Sequence, residues 1–287
     1  MKPPPFDYYA PTRLDEALGL LQEFGDDASL LAGGQSLVPL MNLRLANCPR
    51  LIDINGLQET TGISATDERI RLGATVRARQ VERSAVVARH LPLLAEAIGY
   101  IGHPQIRNRT TIGGNVAHAD PASELPAVLA LLDGVVELQS LSGVRRLGWE
   151  DFFVGPLMNA RTSAEMVVAV EFPVPDGFSF AFHEVATRAG DYALAGGCLG
   201  LRVEGRTVAG ARAVLFGVGG LPLRLPGLEG LLAGQSIDRF TAVQVREAVD
   251  EELPTVSGDG HGSARYRRAL AGTVMARLLE THTERVR

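Results

Sequence analysis

The stretch Ser29-Leu30-Leu31-Ala32-Gly33-Gly34-Gln35-Ser36, with residues 37–45 and then Leu51-Ile52-Asp53-Ile54, decides how this chain is read. A short apolar run that breaks at a glycine pair has the length and boundary of a buried strand entering a tight turn. Residues 37–45 read as a short helix and Leu51 to Ile54 as a second buried strand closed by Asn55-Gly56. Strand, glycine turn, helix, strand is a small α/β unit. A helix expected over residues 12–24 precedes it, with Thr12 as N-cap and Leu14, Ala17, Leu18 and Leu21 on one face.

A second glycine pair, in Thr110-Thr111-Ile112-Gly113-Gly114-Asn115, is dressed like the first. Glycine has no Cβ to hold a phosphate away from backbone N–H groups. Serine, threonine, glutamine and asparagine then add neutral donors. One Gly-Gly alone is more often a tight turn; two pairs flanked in this way tip the reading towards a phosphate-bearing ligand. Neither pair is a G-x-G-x-x-G or G-x-x-x-x-G-K-[ST] motif, and Gly217-Val218-Gly219-Gly220 lacks the third glycine at the required spacing. A dinucleotide, if bound, is bound another way.

Further outward, residues 69–72 alternate as a half-buried strand, and Val87, Leu91, Leu94, Ile98 and Ile101 mark one helical stripe that stops at Gly102. A helix is expected from about residue 121 to 131 with Pro121 in its first turn, and strands over 135–139 and 166–172. Pro173-Val174-Pro175-Asp176-Gly177 is the best boundary. Beyond it lie three expected strands, 178–187, 195–203 and 209–218, and two helices, 242–253 and 264–284, which make an α+β module. The echo of the first glycine segment at Leu231-Leu232-Ala233-Gly234-Gln235-Ser236 reads as a helix end with Gly234 as its cap, not as a repeat.

Composition narrows the function. A length of 287 residues implies two domains or one divided fold. With 28 basic and 33 acidic residues, net −5, there is no handle for nucleic-acid phosphates. No run approaches the ~20 apolar residues of a membrane span, and the N-terminus lacks a signal-peptide core, so the expected address is cytoplasmic. Two cysteines, Cys48 and Cys198, cannot supply the four thiolates of an iron–sulfur cluster, so any such centre sits on another chain. No G-x-S-x-G, C-x-x-C or H-E-x-x-H motif supports a hydrolase or zinc-protease reading. His103, His118 and Asp120 fit no metal spacing and read as loop residues. His183 and Glu184 are neighbours on a strand, point opposite ways and do not form an acid/base pair. Arg265, Arg267 and Arg268 read as a solvated face of the last helix.

Taken together, Leu31-Ala32-Gly33-Gly34-Gln35-Ser36-Leu37-Val38-Pro39, Leu51-Ile52-Asp53-Ile54, Gln105-Ile106-Arg107-Asn108-Arg109, Thr111-Ile112-Gly113-Gly114-Asn115, Ala119-Asp120-Pro121-Ala122-Ser123-Glu124, Arg188-Ala189-Gly190-Asp191-Tyr192-Ala193 and the closing Tyr266-Arg267-Arg268 resemble, in order and over the whole chain, the FAD-binding medium subunit of the molybdenum hydroxylases. This is the group of the medium chains of carbon monoxide, xanthine, nicotine and caffeine dehydrogenases. The resemblance implies an α+β protein. Residues 1–174 would form a two-subdomain FAD-binding domain of the vanillyl-alcohol-oxidase type (about 1–56 and 57–174), and residues 175–287 a carbon monoxide dehydrogenase flavoprotein-type C-terminal domain.

It implies FAD contacts from Ala32, Gly33, Gly34, Gln35, Ser36 and Leu37, from Thr111, Ile112, Gly113, Gly114 and Asn115, and from Glu124 with Asp120 close by. Tyr192, with Ile101 and Val167, would meet the isoalloxazine. No residue is assigned as a general acid or base, and none as a metal ligand. Molybdenum cofactor and two 2Fe-2S clusters are implied on a large and a small partner chain, in a heterotrimer paired into a dimer. Two other readings stay open: a stand-alone FAD reductase or oxidase of the same flavin fold, and a non-catalytic nucleotide-binding assembly protein. The family usually has glycine where this chain has Thr110, which predicts backbone strain there if the position needs positive φ. Several relatives carry a lysine between Phe182 and Arg188, where this chain has none.

Overall fold

A computed structural model describes residues 2–286 of the chain. The first unit is a three-stranded parallel sheet, order β1-β3-β2, built from β1 (Asp7–Tyr9), β2 (Ala28–Leu31) and β3 (Arg50–Asp53). Helix α1 (Leu14–Phe24) packs Ala17, Leu18 and Leu21 against it, and α2 (Leu37–Asn42) follows the first glycine pair. Helix α1 starts after Arg13, not at Thr12, whose amide instead donates to Glu16 Oε2 at 3.2 Å. Helix α2 stops short of Leu45 because Arg44 turns to φ +60°, where the amides of Leu45 and Ala46 fold back on the Leu40 carbonyl.

The second unit is a five-stranded antiparallel sheet, order β4-β5-β10-β6-β7. Strands β4 (Ile63–Ala65) and β5 (Arg69–Gly73) lead into α3 (Ala78–Glu82), α4 (Ala85–His90), α5 (Pro92–Tyr100), α6 (Pro104–Arg107), α7 (Ile112–His118) and α8 (Glu124–Leu131). The apolar stripe from Val87 to Ile101 is two helices rather than one. Pro92 cannot continue α4, and Leu91 before it is forced out of helical geometry, at φ −148° and ψ 71°. Helix α8 also begins later than expected. Pro121 belongs to a turn opened by Asp120, which accepts Ala122 N–H at its side chain (2.9 Å) and Ser123 N–H at its carbonyl (3.0 Å), the Asp-Pro signature of a β-turn. Strands β6 (Val135–Ser140) and β7 (Gly143–Gly148), helix α9 (Trp149–Phe152), the hairpin of β8 (Phe153–Gly155) and β9 (Met158–Asn159), and the buried central strand β10 (Met166–Pro173) complete this unit.

After the Pro173–Gly177 segment comes an antiparallel sheet of β11 (Phe178–Ala186), β12 (Ala193–Glu204), β13 (Thr207–Phe216) and β14 (Leu223–Arg224), then α10 (Pro226–Leu232), α11 (Ala242–Glu252) and α12 (Ala264–Val286). It has four strands instead of three, since the two-residue edge strand β14 is too short to show a period. The cap of α10 is Ala233, not Gly234: Ala233 N–H donates to Glu229 O at 3.0 Å, while Gly234, at φ +75°, turns the chain so that its own N–H reaches Val208 O at 2.8 Å.

One face of this sheet packs on α10 and α12, and α11 packs on α12. The other face contributes Phe182, Cys198, Val214 and Phe216 to the same core as α5, α8 and the five-stranded sheet. The protein is therefore layered, with α8 in the middle and every one of its residues buried.

Candidate functional site

The C-terminal end of β2, the N-terminal ends of α7 and α8, the end of α5 and the start of β12 converge on one cleft of about 510 Å³. This volume lies within the ordinary range of small-molecule and cofactor sites. Ala32, Gly33, Gly34, Gln35, Ser36, Leu37, Ile101, Thr111, Gly113, Gly114, Asn115, Asp120, Glu124, Val167 and Tyr192 all line it. Ile112 does not. Its side chain is fully buried in the core and its amide bonds the Val76 carbonyl at 2.9 Å, so it anchors the second glycine segment from behind.

The two glycine segments, alike in sequence, are built differently. No hydrogen bond among the described residues uses the backbone N–H groups of Gly33, Gly34, Gln35 or Ser36. In the second segment the amides are spent within the fold. Gly113 donates to Ala74 O (2.9 Å), Gly114 to the Thr111 hydroxyl that caps α7 (3.2 Å), and Asn115 to Thr111 O (2.9 Å). The first loop thus presents unpaired donors to the cleft, while the second presents side chains on a closely packed wall.

The glycines also serve that packing. A Cβ on Gly33 would lie 2.4 Å from the Arg109 carbonyl oxygen, and one on Gly113 would lie 2.5 Å from Ala74 Cβ. Gly34 is left-handed, at φ +73°. Close approach of two chain segments, as well as room for a ligand, requires glycine here.

Several residues that sequence patterning missed hold this geometry. Asn55 Nδ2 donates to Ala32 O at 2.9 Å, and Asn55 Oδ1 accepts from Arg77, whose other arm reaches Arg109 O at 2.7 Å. That network ties the first glycine loop to the residues just before the second. Arg107, 8% exposed, donates through Nη1 to the carbonyls of Gly99, Ile101 and Gly102 and pairs with Glu82. It therefore fixes the turn that presents Ile101 to the cleft. In sequence Asn55 stands beside Gly56 and Arg107 within the 105–109 segment, while Arg77 carries no signal. Asn159 and Arg161 also line the cleft and carried no signal at all.

Thr110 lines the cleft without the predicted strain. Among the described residues, the non-glycine positions with positive φ are Arg44, Ala119, Asp133 and Leu157. Ala119, at φ +53°, ends α7 immediately before Asp120, so the strain sits nine residues further on, at the turn that carries the acidic groups.

His118 lines the cleft, and the His103 ring packs against Gly190. His183 is half-buried on β11, where its Nε2 lies 3.1 Å from Arg277; burial, then Arg277, pushes its pKa down. Arg267 departs from the reading as a solvated face: it is 9% exposed and hydrogen-bonded inward.

The electrostatics of the cleft are acidic at one end. Glu124, 8% exposed at the start of α8, has its carboxyl pushed up to about 7 by burial and by the charge of Asp120. Glu184 on β11 is pushed up to about 8 by burial and by Glu124, and its Oε2 is buried without a hydrogen bond. Tyr192 stands 68% exposed at the mouth. Unpaired amides on a glycine loop, a neutral hydroxyl and amide wall, and a cleft with an exposed tyrosine at its mouth suit a phosphate-bearing dinucleotide. The residues present fit FAD.

Such a cleft between two α/β units, with a further α+β module closing one end, defines a flavin-binding protein. The chain matches the model of the FAD binding domain in molybdopterin dehydrogenase over residues 4–175, and that of the CO dehydrogenase flavoprotein C-terminal domain over residues 180–282. It belongs to the family of FAD-binding medium subunits of molybdenum hydroxylases, which are oxidoreductases.

It is 39% identical to the 6-hydroxypseudooxynicotine dehydrogenase complex subunit alpha of Paenarthrobacter nicotinovorans, covering 100% of this chain and 97% of that one. It is 37% identical to caffeine dehydrogenase subunit beta of a Pseudomonas species, again over 100% and 97%. Among solved structures it is similar to the carbon monoxide dehydrogenase of Hydrogenophaga pseudoflava lacking the Mo-pyranopterin moiety of its molybdenum cofactor, with TM-score 0.93, 36% identity and 99% of each chain covered. No helix among the described residues is long and apolar enough to cross a membrane.

Proposed function

We propose that this chain is the FAD-carrying electron-transfer subunit of a heterotrimeric molybdenum hydroxylase. A large partner holds the molybdenum cofactor and oxidises the substrate, and a small partner carries electrons through two 2Fe-2S clusters. The observation that carries the reading is the cleft, where two glycine segments from separate units and a tyrosine from a third meet on one elongated ligand site. FAD supplies the exchange between one-electron and two-electron carriers. This chain's own residues bind and orient it. The amides of Gly33 to Ser36 take the pyrophosphate, with Thr111 and Asn115 opposite. Glu124 and Asp120 make polar contacts, while Tyr192, Ile101 and Val167 bound the isoalloxazine. The electrons leave to an external acceptor, and two trimers pair.

The test is to isolate the chain untagged from its host, record the visible spectrum, and identify the accompanying chains and metals. A flavin spectrum with one large and one small companion, molybdenum and iron is the expected result. A colourless chain that takes up no added FAD would overturn the reading.

A further inference from the structure

The side chain of Tyr192 makes few contacts that hold it at the cleft. It is 68% exposed, its hydroxyl makes no hydrogen bond among the described residues, and no aromatic ring stacks on it. Its position therefore depends on the backbone on either side. Upstream, Gly190, at φ +85°, sits so close to His103 that a Cβ there would lie 2.8 Å from the ring, and Asp191 N–H closes a turn on Arg188 O. Downstream, the chain enters β12, and there one buried side chain reaches in from the last helix.

Arg267, in the first turn of α12, donates through Nη1 to Leu194 O at 3.0 Å and to Gly217 O at 3.0 Å, and through Nη2 to Asp259 Oδ2 at 2.6 Å. Leu194 lies two residues beyond Tyr192. Gly217 is packed on the same stretch, since a Cβ there would lie 3.0 Å from Ala193 O, and its own N–H donates to Pro121 O at 2.9 Å. A single guanidinium thus ties the start of β12, the end of β13 and, through Gly217, the Asp120–Glu124 turn to one point on α12. Asp259 orients the fork from behind, and is itself fixed by the amides of His261 (2.8 Å) and Gly262 (3.1 Å). Its carboxyl is held at about 2 by Arg267 and those amides.

The geometry points to Arg267, oriented by Asp259, as the positioning residue that sets where Tyr192 stands at the cleft. A fork of planar donors can hold two carbonyls and a carboxylate at once; an ammonium on a flexible stem cannot do so with the same geometry. Losing the fork frees the downstream side of Tyr192 at the entry to β12, leaving only the Gly190–His103 contact and the Asp191 turn to hold it. The inference rests on the reading that FAD occupies the cleft with Tyr192 at its ring.

The experiment uses the FAD-loaded protein, isolated with the chains that accompany it, and reads two quantities: FAD affinity and the fluorescence of the bound flavin, which a stacked tyrosine quenches. Wild type, Y192A, R267K, D259N and the double variant R267K/Y192A are compared, each checked for intact folding by circular dichroism. The expected result is severalfold brighter flavin and about 10- to 100-fold weaker binding in Y192A and in R267K. D259N should give a smaller change in the same direction. In R267K/Y192A the two effects should not add. Full additivity in the double variant, or R267K and D259N both indistinguishable from wild type, would overturn the assignment. Failure of the underlying reading shows separately, as a Y192A protein with unchanged fluorescence and affinity.

Discussion

Glu184 has Oε2 buried with no hydrogen bond, beside a second carboxyl, Glu124, that burial also disfavours as an ion. Burial holds the Glu184 carboxyl at about 8, against an ordinary value of 4.5. Between those values the folded chain carries a proton that the unfolded chain has lost, so this group's contribution is fully present below about pH 4.5 and is lost as pH rises through 8. Replacing it with neutral, isosteric glutamine removes that dependence. E184Q should therefore leave the melting temperature near that of wild type at about pH 4, below the unfolded value. At pH 8.5 it should raise it, by about 2–4 °C for each kcal/mol recovered. Melting curves at the two pH values decide the matter; an equal shift at both would mean that Glu184 is ionised in the fold. At the same scale the glycines of the first loop are not equivalent. G34A meets mainly a left-handed backbone and should cost about 1 kcal/mol. G33A drives a methyl into the Arg109 carbonyl at 2.4 Å and should cost more, roughly 1–3 kcal/mol or above, with loss of FAD. Urea titration of both variants, with and without FAD, orders them.

Strand β12 shows how packing of whole elements escapes a periodicity argument. Its run Ala193-Leu194-Ala195-Gly196-Gly197-Cys198 is buried on both faces, so no alternation marks it. The small residues are there because a Cβ on Gly196 would lie 2.1 Å from Phe216 and one on Gly197 would lie 2.7 Å from Met275. G196A should therefore destabilise by roughly 1–3 kcal/mol, and F216L in the same chain should recover part of that loss. A double-mutant cycle on the unfolding free energy reads the coupling directly, and strict additivity would show that the ring does not rest on the glycine.

What was legible in the sequence follows the same logic. Elements with one buried face, such as α1 and β5, declare themselves by period. The two glycine segments declare themselves by composition, and their order along the chain carries the family. Element ends were misplaced where a local interaction outweighs the pattern: the Asp120 turn ahead of α8, Pro92 between α4 and α5, and Arg44 after α2. The different amide usage of the two glycine segments, and the support from Asn55, Arg77 and Arg107, depend on contacts between residues far apart in the chain. No local window contains them.

For the molecule as a whole, α8 is the element on which the cleft and the C-terminal sheet both depend. Its first residue, Glu124, lines the cleft. Its last carbonyls are met from the C-terminal sheet, where Arg212 donates to Leu131 O at 3.1 Å and Arg224 to Ala130 O at 3.2 Å, with Asp133 bridging the two arginines at 2.9 Å each. Cations at a helix C-terminus oppose the negative end of its dipole, so the sheet of one unit caps the helix of the other. Phe182, Cys198, Val214 and Phe216 fill the same core as α5 and α8. Removing that cover exposes large apolar side chains at roughly 1.5–3 kcal/mol each, against a total stability on the order of 5–15 kcal/mol. A few such exposures exhaust it. The two family-model segments, separate as they are along the chain, should therefore not be separable in solution. A chain ended after Asp176 should bind a hydrophobic dye strongly, melt without a cooperative transition and fail to retain FAD. Supplying residues 177–287 in trans should restore part of the transition. A truncated chain that melts cooperatively within a few degrees of the full-length protein would show instead that the C-terminal sheet only rests on a finished domain.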